Sequence, residues 1–245
     1  MEKNKNVISR ADILLPDFDV CDERWNSYAV IACDQFTSQP EYWEKAEEIA
    51  LNQLSALSLI LPEAYLNTKK EVAQKAIVAE NMKSIADKLV VHKDCLVFVE
   101  RTLPDGRIRR GIVGKLDLSE YDFSADSTSA VRATEETVVE RIPPRVAVRR
   151  EATVELPHVM VFANDTERIL FEPLKNRKDQ MEKLYSFDLM LGGGHIEGYK
   201  IRCRFRPGSD PRRRPSEPRL QFPGSHGLPE PYRCACRHGP SPERR

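Results

Sequence analysis

The densest set of chemically useful side chains lies in the run STSAVRATEETVVERIPPR, residues 127–145. It carries the hydroxyls of Thr134 and Thr137, the guanidinium groups of Arg132, Arg141 and Arg145, and the carboxylate of Glu135. Hydroxyls and backbone N–H groups that lead into a helix N-terminus make a cradle for phosphate. Arginine matches phosphate oxygens with two parallel donors. The plainer reading is a capped surface helix whose Glu140 and Arg141 face water, and the residue types alone favour it.

Two smaller groups follow. Cys33-Asp34-Gln35-Phe36-Thr37-Ser38 comes between an apolar run and a helix start. That is the crevice where open α/β sheets bind ligands. Asp34 there would act as a base or orient a metal, but without a partner the reading in which Asp34 and Thr37 only shape the turn is favoured. Gly192-Gly193-Gly194-His195 would let the backbone approach a ligand closely. It matches neither the dinucleotide fingerprint nor the P-loop. His158, after Pro157, reads as a structural histidine in a strand. The body shows no Ser/His/Asp arrangement and no metal-spaced cluster, and nothing in it names a cofactor.

These groups need elements to hold them. Ala29–Cys33 predicts a buried strand, and Ser38 with Glu41 predicts a capping box opening a helix to about Ser55 that buries Trp43, Ala46, Ala50 and Leu54. Leu57–Leu61 predicts a second strand. Thr68 with Glu71 predicts another capped helix, buried through Val72, Ala76, Ala79, Met82, Ile85 and Leu89. Pro104-Asp105-Gly106 predicts the turn of a β-hairpin with arms 95–101 and 107–118. A short helix over Thr134–Arg141 should stop at Pro143-Pro144. Strands are expected over 158–163 and 168–171, a polar helix near 174–184, and strand-like arms 185–191 and 195–200 around the glycines. The fold class is α/β, with α+β as the variant: a mixed sheet with flanking helices.

Composition changes after Ile201. Residues 202–245 hold 11 of the 38 basic residues, all Arg, and 4 of the 38 acidic ones. The body is left with 27 basic and 34 acidic residues, so it offers no electrostatic reason to bind nucleic acid. Nine of the 17 prolines fall in that stretch, with no Ile, Val or Lys. Such a segment cannot offset its ordering entropy, so disorder is expected. Three readings of it compete: a basic nucleic-acid arm, a zinc knuckle from Cys203, Cys234, Cys236 and His238, and out-of-frame translation, which the break in Lys usage favours. The domain expectation is a body over 1–201 and a disordered tail over 202–245. No apolar run is long enough to span a bilayer, the start does not read as a signal peptide, and the scattered Cys21, Cys33 and Cys95 suit a cytoplasmic protein.

Several strings together carry a resemblance: ADILLP (11–16), ACDQFTSQPEYWE (32–44), LILPEAYL (59–66), RRGIVGKLDLSEYDFS (109–124), VRATEETVVERIPPR (131–145), ELPHVMV (155–161) and GGGHIEGY (192–199). The sequence resembles the bacterial domain-of-unknown-function family 1015, in its clostridial-type branch, over residues 8–200. That family looks related to the ParB/sulfiredoxin-like proteins, which include free-serine kinases. The resemblance implies phosphoryl transfer to or from a small hydroxy amino acid, serine or phosphoserine. It maps polar blocks onto Asp34, Gln35 and Thr37, onto Arg132, Thr134, Glu135, Thr137, Arg141 and Arg145, and onto Gly192, Gly193, Gly194 and His195. The arginines and threonines would hold phosphate, and Glu135 or Asp34 would take the hydroxyl proton. The expected partner is a small or phosphorylated ligand. Family members run to about twice this length and carry an Asp-Gly-x-His turn that is missing here. The chain is therefore expected to be an N-terminal portion with little activity of its own. The alternative is a ligand-binding or regulatory module without chemistry.

Overall fold

The computed structural model describes residues 7–31, 39–124, 126–133, 139–150, 152–156 and 158–201. The expected disordered tail and its candidate zinc ligands lie outside them. Nine strands are described: β1 (Ile8–Ser9), β2 (Ala11–Pro16), β3 (Leu89–Thr102), β4 (Ile108–Val113), β5 (Lys115–Leu116), β6 (Tyr121–Asp122), β7 (Val131–Arg132), β8 (Glu182–Asp188) and β9 (His195–Ile201). The α-helices are α1 (Arg24–Tyr28), α2 (Pro40–Ala50), α3 (Lys69–Ser84), α4 (Ile142–Arg149) and α5 (Phe171–Lys175). Among the described residues no helix is long and apolar enough to cross a membrane.

The main sheet joins five strands in the order β2–β3–β9–β8, with β4 also on β3. Every pairing in it is antiparallel. Leu89–Cys95 of β3 pairs with β2, and Val97–Thr102 pairs with both β4 and β9. The mixed composition, the sheet and the flanking helices agree with the class read from the sequence.

The expected strand–helix alternation is not how the chain builds that class. Ala29–Ile31 is not a strand, and Ala56–Leu59 forms a 3-10 helix whose Leu57 and Leu59 are buried. Short apolar runs do not distinguish a strand from a buried turn. The carbonyls of Leu57 and Ile60 accept from the Gln74 side-chain amide at 2.8 and 2.9 Å, in place of a strand ladder. That contact also turns α3. Its buried row is Gln74, Val78 and Met82, continued by Ile85, whereas Val72 and Ala76 are exposed. Thr68 does cap α3 through Lys70 N–H, but Glu71 accepts from Asn67 N–H, one residue outside the expected box.

Helix α2 buries Trp43 and Ala46 as expected and ends at Ala50, short of Ser55. Its N-cap is Gln39, and Ser38 lies outside the described residues. The hairpin is confirmed: Leu103 N–H donates to Arg107 O at 2.8 Å and Gly106 takes φ +82°. Of the short helix expected over Thr134–Arg141, residues 139–141 form a 3-10 turn and 134–138 lie outside the described residues. Pro143 and Pro144 open α4 instead of ending a helix, because a first turn needs no N–H from them. Residues 158–163 and 168–170 form no strand, so His158 is not in one. The Asp165 carboxylate accepts from Leu170 and Phe171 N–H, both at 3.0 Å, which starts α5 there. The polar helix expected near 174–184 reduces to the end of α5, a 3-10 turn at Lys178–Gln180 and the start of β8.

Side chains alternate across the sheet. One face buries Phe187, Leu189 and Met190 with Trp25, Trp43, Tyr42 and Tyr65. Trp25 stacks on Phe187 at 5.3 Å and 7°. The other face begins with an apolar row, Phe98 and Tyr199, packed under Leu174 of α5. Replacing Phe98 with alanine should lower the unfolding free energy by about 3–5 kcal/mol, whereas Val72→Ala on α3 should change it by less than about 0.5 kcal/mol. Urea denaturation of the two variants compares them, and equal losses would contradict this assignment of buried faces.

Candidate functional site

The second face of the sheet is organised in rows. Glu197 of β9 pairs with Glu100 of β3 and Ser186 of β8, and Glu100 pairs with Arg110 of β4. This second row is ionic. Buried Glu100 accepts from Arg110 Nε at 2.7 Å and from Lys178 Nζ at 2.6 Å. Lys183 Nζ donates to Glu197 at 2.6 Å. A carboxylate as buried as Glu100 is tolerable only when paired in this way. The hydrogen bond to Glu100 holds the Lys178 ammonium above the usual lysine range, despite desolvation. Burial pushes the Glu197 carboxyl up, but Lys183 and the Tyr199 hydroxyl outweigh it, and the net shift is downward.

The third row lies past the cover given by α5. Asp188, the last residue of β8, pairs with His195, the first of β9, which pairs with Thr102 of β3. Ser186 and Asp188 are two apart on one strand and therefore share a face. His195 Nδ1 lies 2.7 Å from Asp188 Oδ1, and its Nε2 lies 3.1 Å from Ser186 Oγ. The tautomer consistent with both has Nδ1–H donating to the carboxylate and Nε2 accepting from the hydroxyl. Ser186 Oγ is also 3.4 Å from Glu197 Oε1.

The turn between β8 and β9 fixes this register. Leu189 N–H donates to Gly194 O at 2.8 Å, and Gly193 N–H donates to Met190 O at 3.1 Å. Met190 is fully buried and anchors the turn in the aromatic core. Gly194 has φ +92°, and a Cβ there would lie 2.1 Å from Thr102 O. Only glycine lets the turn approach β3 so closely. A Cβ on Gly193 would lie 2.4 Å from Ile31 Cδ1, and Arg101 Nη2 donates to Gly193 O at 3.1 Å. An open cleft of about 490 Å³ adjoins the turn, bordered by Asn26, Thr102, Asp188, Leu191, Gly194 and His195.

The structure therefore places Gly193, Gly194 and His195 together, as one of the sequence groups requires. It adds Ser186 and Asp188, which correct the expectation of no Ser/His/Asp arrangement. Their signal was present: Ser-x-Asp ending one hairpin arm and His opening the next, across a tight glycine turn. Asp34, Gln35, Thr37, Thr134, Glu135 and Thr137 lie outside the described residues, as does the side chain of Arg141. Arg132 ends β7 with a buried Nε that has no hydrogen-bond partner among the described residues. Arg145 is half-buried on α4. Neither borders the cleft. Among the described residues no group of three or more His, Cys, Asp or Glu side chains is placed to hold a metal ion.

The family described as protein of unknown function (DUF1015) matches residues 17–204, more than three quarters of the chain. The chain belongs to this family. No curated protein and no solved structure matches it. The DUF1015 match includes both β8 and β9, so the Ser186–Asp188–His195 hairpin lies wholly inside it.

Two outcomes test this geometry. Gly194→Ala should lower the unfolding free energy by about 2 kcal/mol or more, from strain and collision together. Gly192→Ala meets open space at φ +70° and should cost about 1–2 kcal/mol. Chemical denaturation distinguishes them, and a harmless Gly194→Ala would refute the close approach to Thr102. Lys178 gives the second. Its raised folded value means that its stabilisation is complete at neutral pH and is lost as pH climbs beyond the ordinary lysine value of 10.5. Lys178→Met should be less stable than the parent at pH 8, and that gap should shrink between pH 10 and 12. A gap that stays constant would remove the Glu100 ion pair from the account.

Proposed function

We propose that this domain transfers a phosphoryl group to or from the hydroxyl of a small hydroxy amino acid such as serine, with His195 moving the hydroxyl proton. The observation that carries this reading is the line of hydrogen bonds from Asp188 through His195 to Ser186 beside an open cleft. A hydroxyl attacks poorly until a base is within reach of its proton. Imidazole performs that task near neutral pH, and a carboxylate on the opposite nitrogen fixes its tautomer and orientation. Ser186 Oγ holds the Nε2 lone pair at 3.1 Å, so a substrate hydroxyl has to replace it there to pass its proton to His195.

Phosphoryl transfer asks the protein mainly for positioning and for positive charge on the oxygens. The resemblance supplies candidates for the charge in Arg132, Arg141 and Arg145, supported by Thr134 and Thr137. Arg132 keeps a buried Nε without a partner among the described residues. Gln35 and Thr37, like Gly193 and Gly194, are candidates of the resemblance for contact with the substrate, and Asp34 and Glu135 stay as alternative bases on the same hydroxyl. Free Cys21 and Cys95 suit a reducing, cytoplasmic setting.

A second reading follows from the same atoms: Ser186 is itself the nucleophile, as the order Asp–His–Ser allows. The experiment incubates the full chain with serine and a nucleoside triphosphate or pyrophosphate and follows O-phosphoserine by 31P NMR. His195→Asn should lower turnover by about 100-fold or more, while Ser186→Ala should stay within about tenfold of the parent. Equal loss in both variants would transfer the role of nucleophile to Ser186. Absence of product with every donor, together with a higher melting temperature in phosphoserine, would identify a binding module. No product and no thermal shift would end the phosphoryl reading.

A further inference from the structure

We infer that the cleft beside His195 selects small molecules carrying a primary ammonium group next to the reacting hydroxyl, and that Asp188 is the residue that selects them. This rests on the proposed function for the hydroxyl, and not for the phosphate.

The charge around the cleft points this way. Among the described residues that line it, Asp188 is the one carboxylate and there is no Lys or Arg. Asp188 spends Oδ1 on His195, while its side chain remains 84% exposed, so Oδ2 faces the solvent of the cleft mouth. The backbone that carries the carboxylate is fixed. Asn26 Nδ2 donates to the Asp188 carbonyl at 2.9 Å, and the β8–β9 pairing fixes the rest of the residue.

Cations described on the same sheet face are already engaged, Arg110 with Glu100 at 2.7 Å among them. Lys178 lies 2.6 Å from Glu100, and Lys183 lies 2.6 Å from Glu197. Arg101 alternates onto the opposite face, where it donates to Gly193 O. An anionic ligand entering the cleft would therefore meet a carboxylate that no Lys or Arg among the described lining residues offsets. A cationic ligand would gain a charge-assisted hydrogen bond. The cleft has the volume of a small-molecule site. Its remaining polar groups, the Asn26 amide and the Thr102 hydroxyl, suit a neutral or zwitterionic ligand.

The consequence is that the hydroxyl-bearing acceptor is held here by its ammonium group. Carboxylate recognition contributes little to the choice of acceptor in this cleft.

The test compares L-serine, ethanolamine and glycerate, the last being serine with its amine replaced by a hydroxyl. Each is titrated into the full, isotope-labelled chain, followed by the backbone amides of residues 186–195 and the His195 ring. Serine and ethanolamine should bind within about tenfold of each other, and glycerate at least about tenfold more weakly. Asp188→Asn should weaken ethanolamine by about threefold or more, the range of an exposed ion pair, with a larger effect at low salt. Asp188→Glu should recover part of the loss. Glycerate binding as tightly as ethanolamine, or an unchanged affinity in Asp188→Asn at an unchanged melting temperature, would overturn the inference. Amine-selective binding without any phosphoserine formed would keep it and remove the transfer reaction. Phosphoserine formation with no preference for the amine would do the reverse.

Discussion

Strand β3 has to satisfy different partners along its length, and the rest of the molecule is arranged by that requirement. Its 14 residues pair with β2 over the first half and with β4 and β9 over the second. A strand bonded on both sides cannot shift by one residue without sending every side chain to the wrong face. Its alternation thus sets which residues of β9, and through β9 of β8, look toward the aromatic core and which look away. Phe98 toward α5 and Val97 toward Leu184 are the visible result.

The chemistry lies on the face looking away from the aromatic core, at the end where cover runs out. The apolar row under α5 excludes water, the ionic row beside it is satisfied internally, and the row of Asp188, His195 and Thr102 is open. This gradient matters for reactivity. Fixed charges in the middle row hold the strands in place, while the exposed row keeps room for a ligand. The glycine turn adds the remaining constraint, because its contact with Thr102 sets the start of β9 and so the position of the imidazole.

Much of this was legible in the sequence, for identifiable reasons. Pro104-Asp105-Gly106 and Gly192-Gly193-Gly194 encode backbone geometry locally, so both hairpins were expected. Helix α3 was expected too, because Thr68 marks its start by a local hydrogen bond. Its buried face was not, since Gln74 replaces an apolar residue and its amide serves the carbonyls of Leu57 and Ile60, far away in sequence. The same two carbonyls explain why an apolar run read as a strand is a 3-10 turn. Adjacent prolines suit a helix stop and a helix start alike, and Pro143 and Pro144 make a start. At the site, the glycines mark His195. Ser186 and Asp188 carry no such mark, because alternation within a strand looks ordinary until the opposing arm is known. The groups around Asp34 and Glu135 fall outside the described residues.

The three aligned side chains fall within a span of ten residues, Ser186 to His195, in a single hairpin. Relays of this type are commonly assembled from distant segments of a chain. Here the whole device is written in one short stretch of gene, so its inheritance depends on spacing more than on long-range cooperation. Single substitutions would weaken it by degrees, whereas losing or gaining one codon within the stretch would put the imidazole and its carboxylate on opposite sides of the sheet at one stroke.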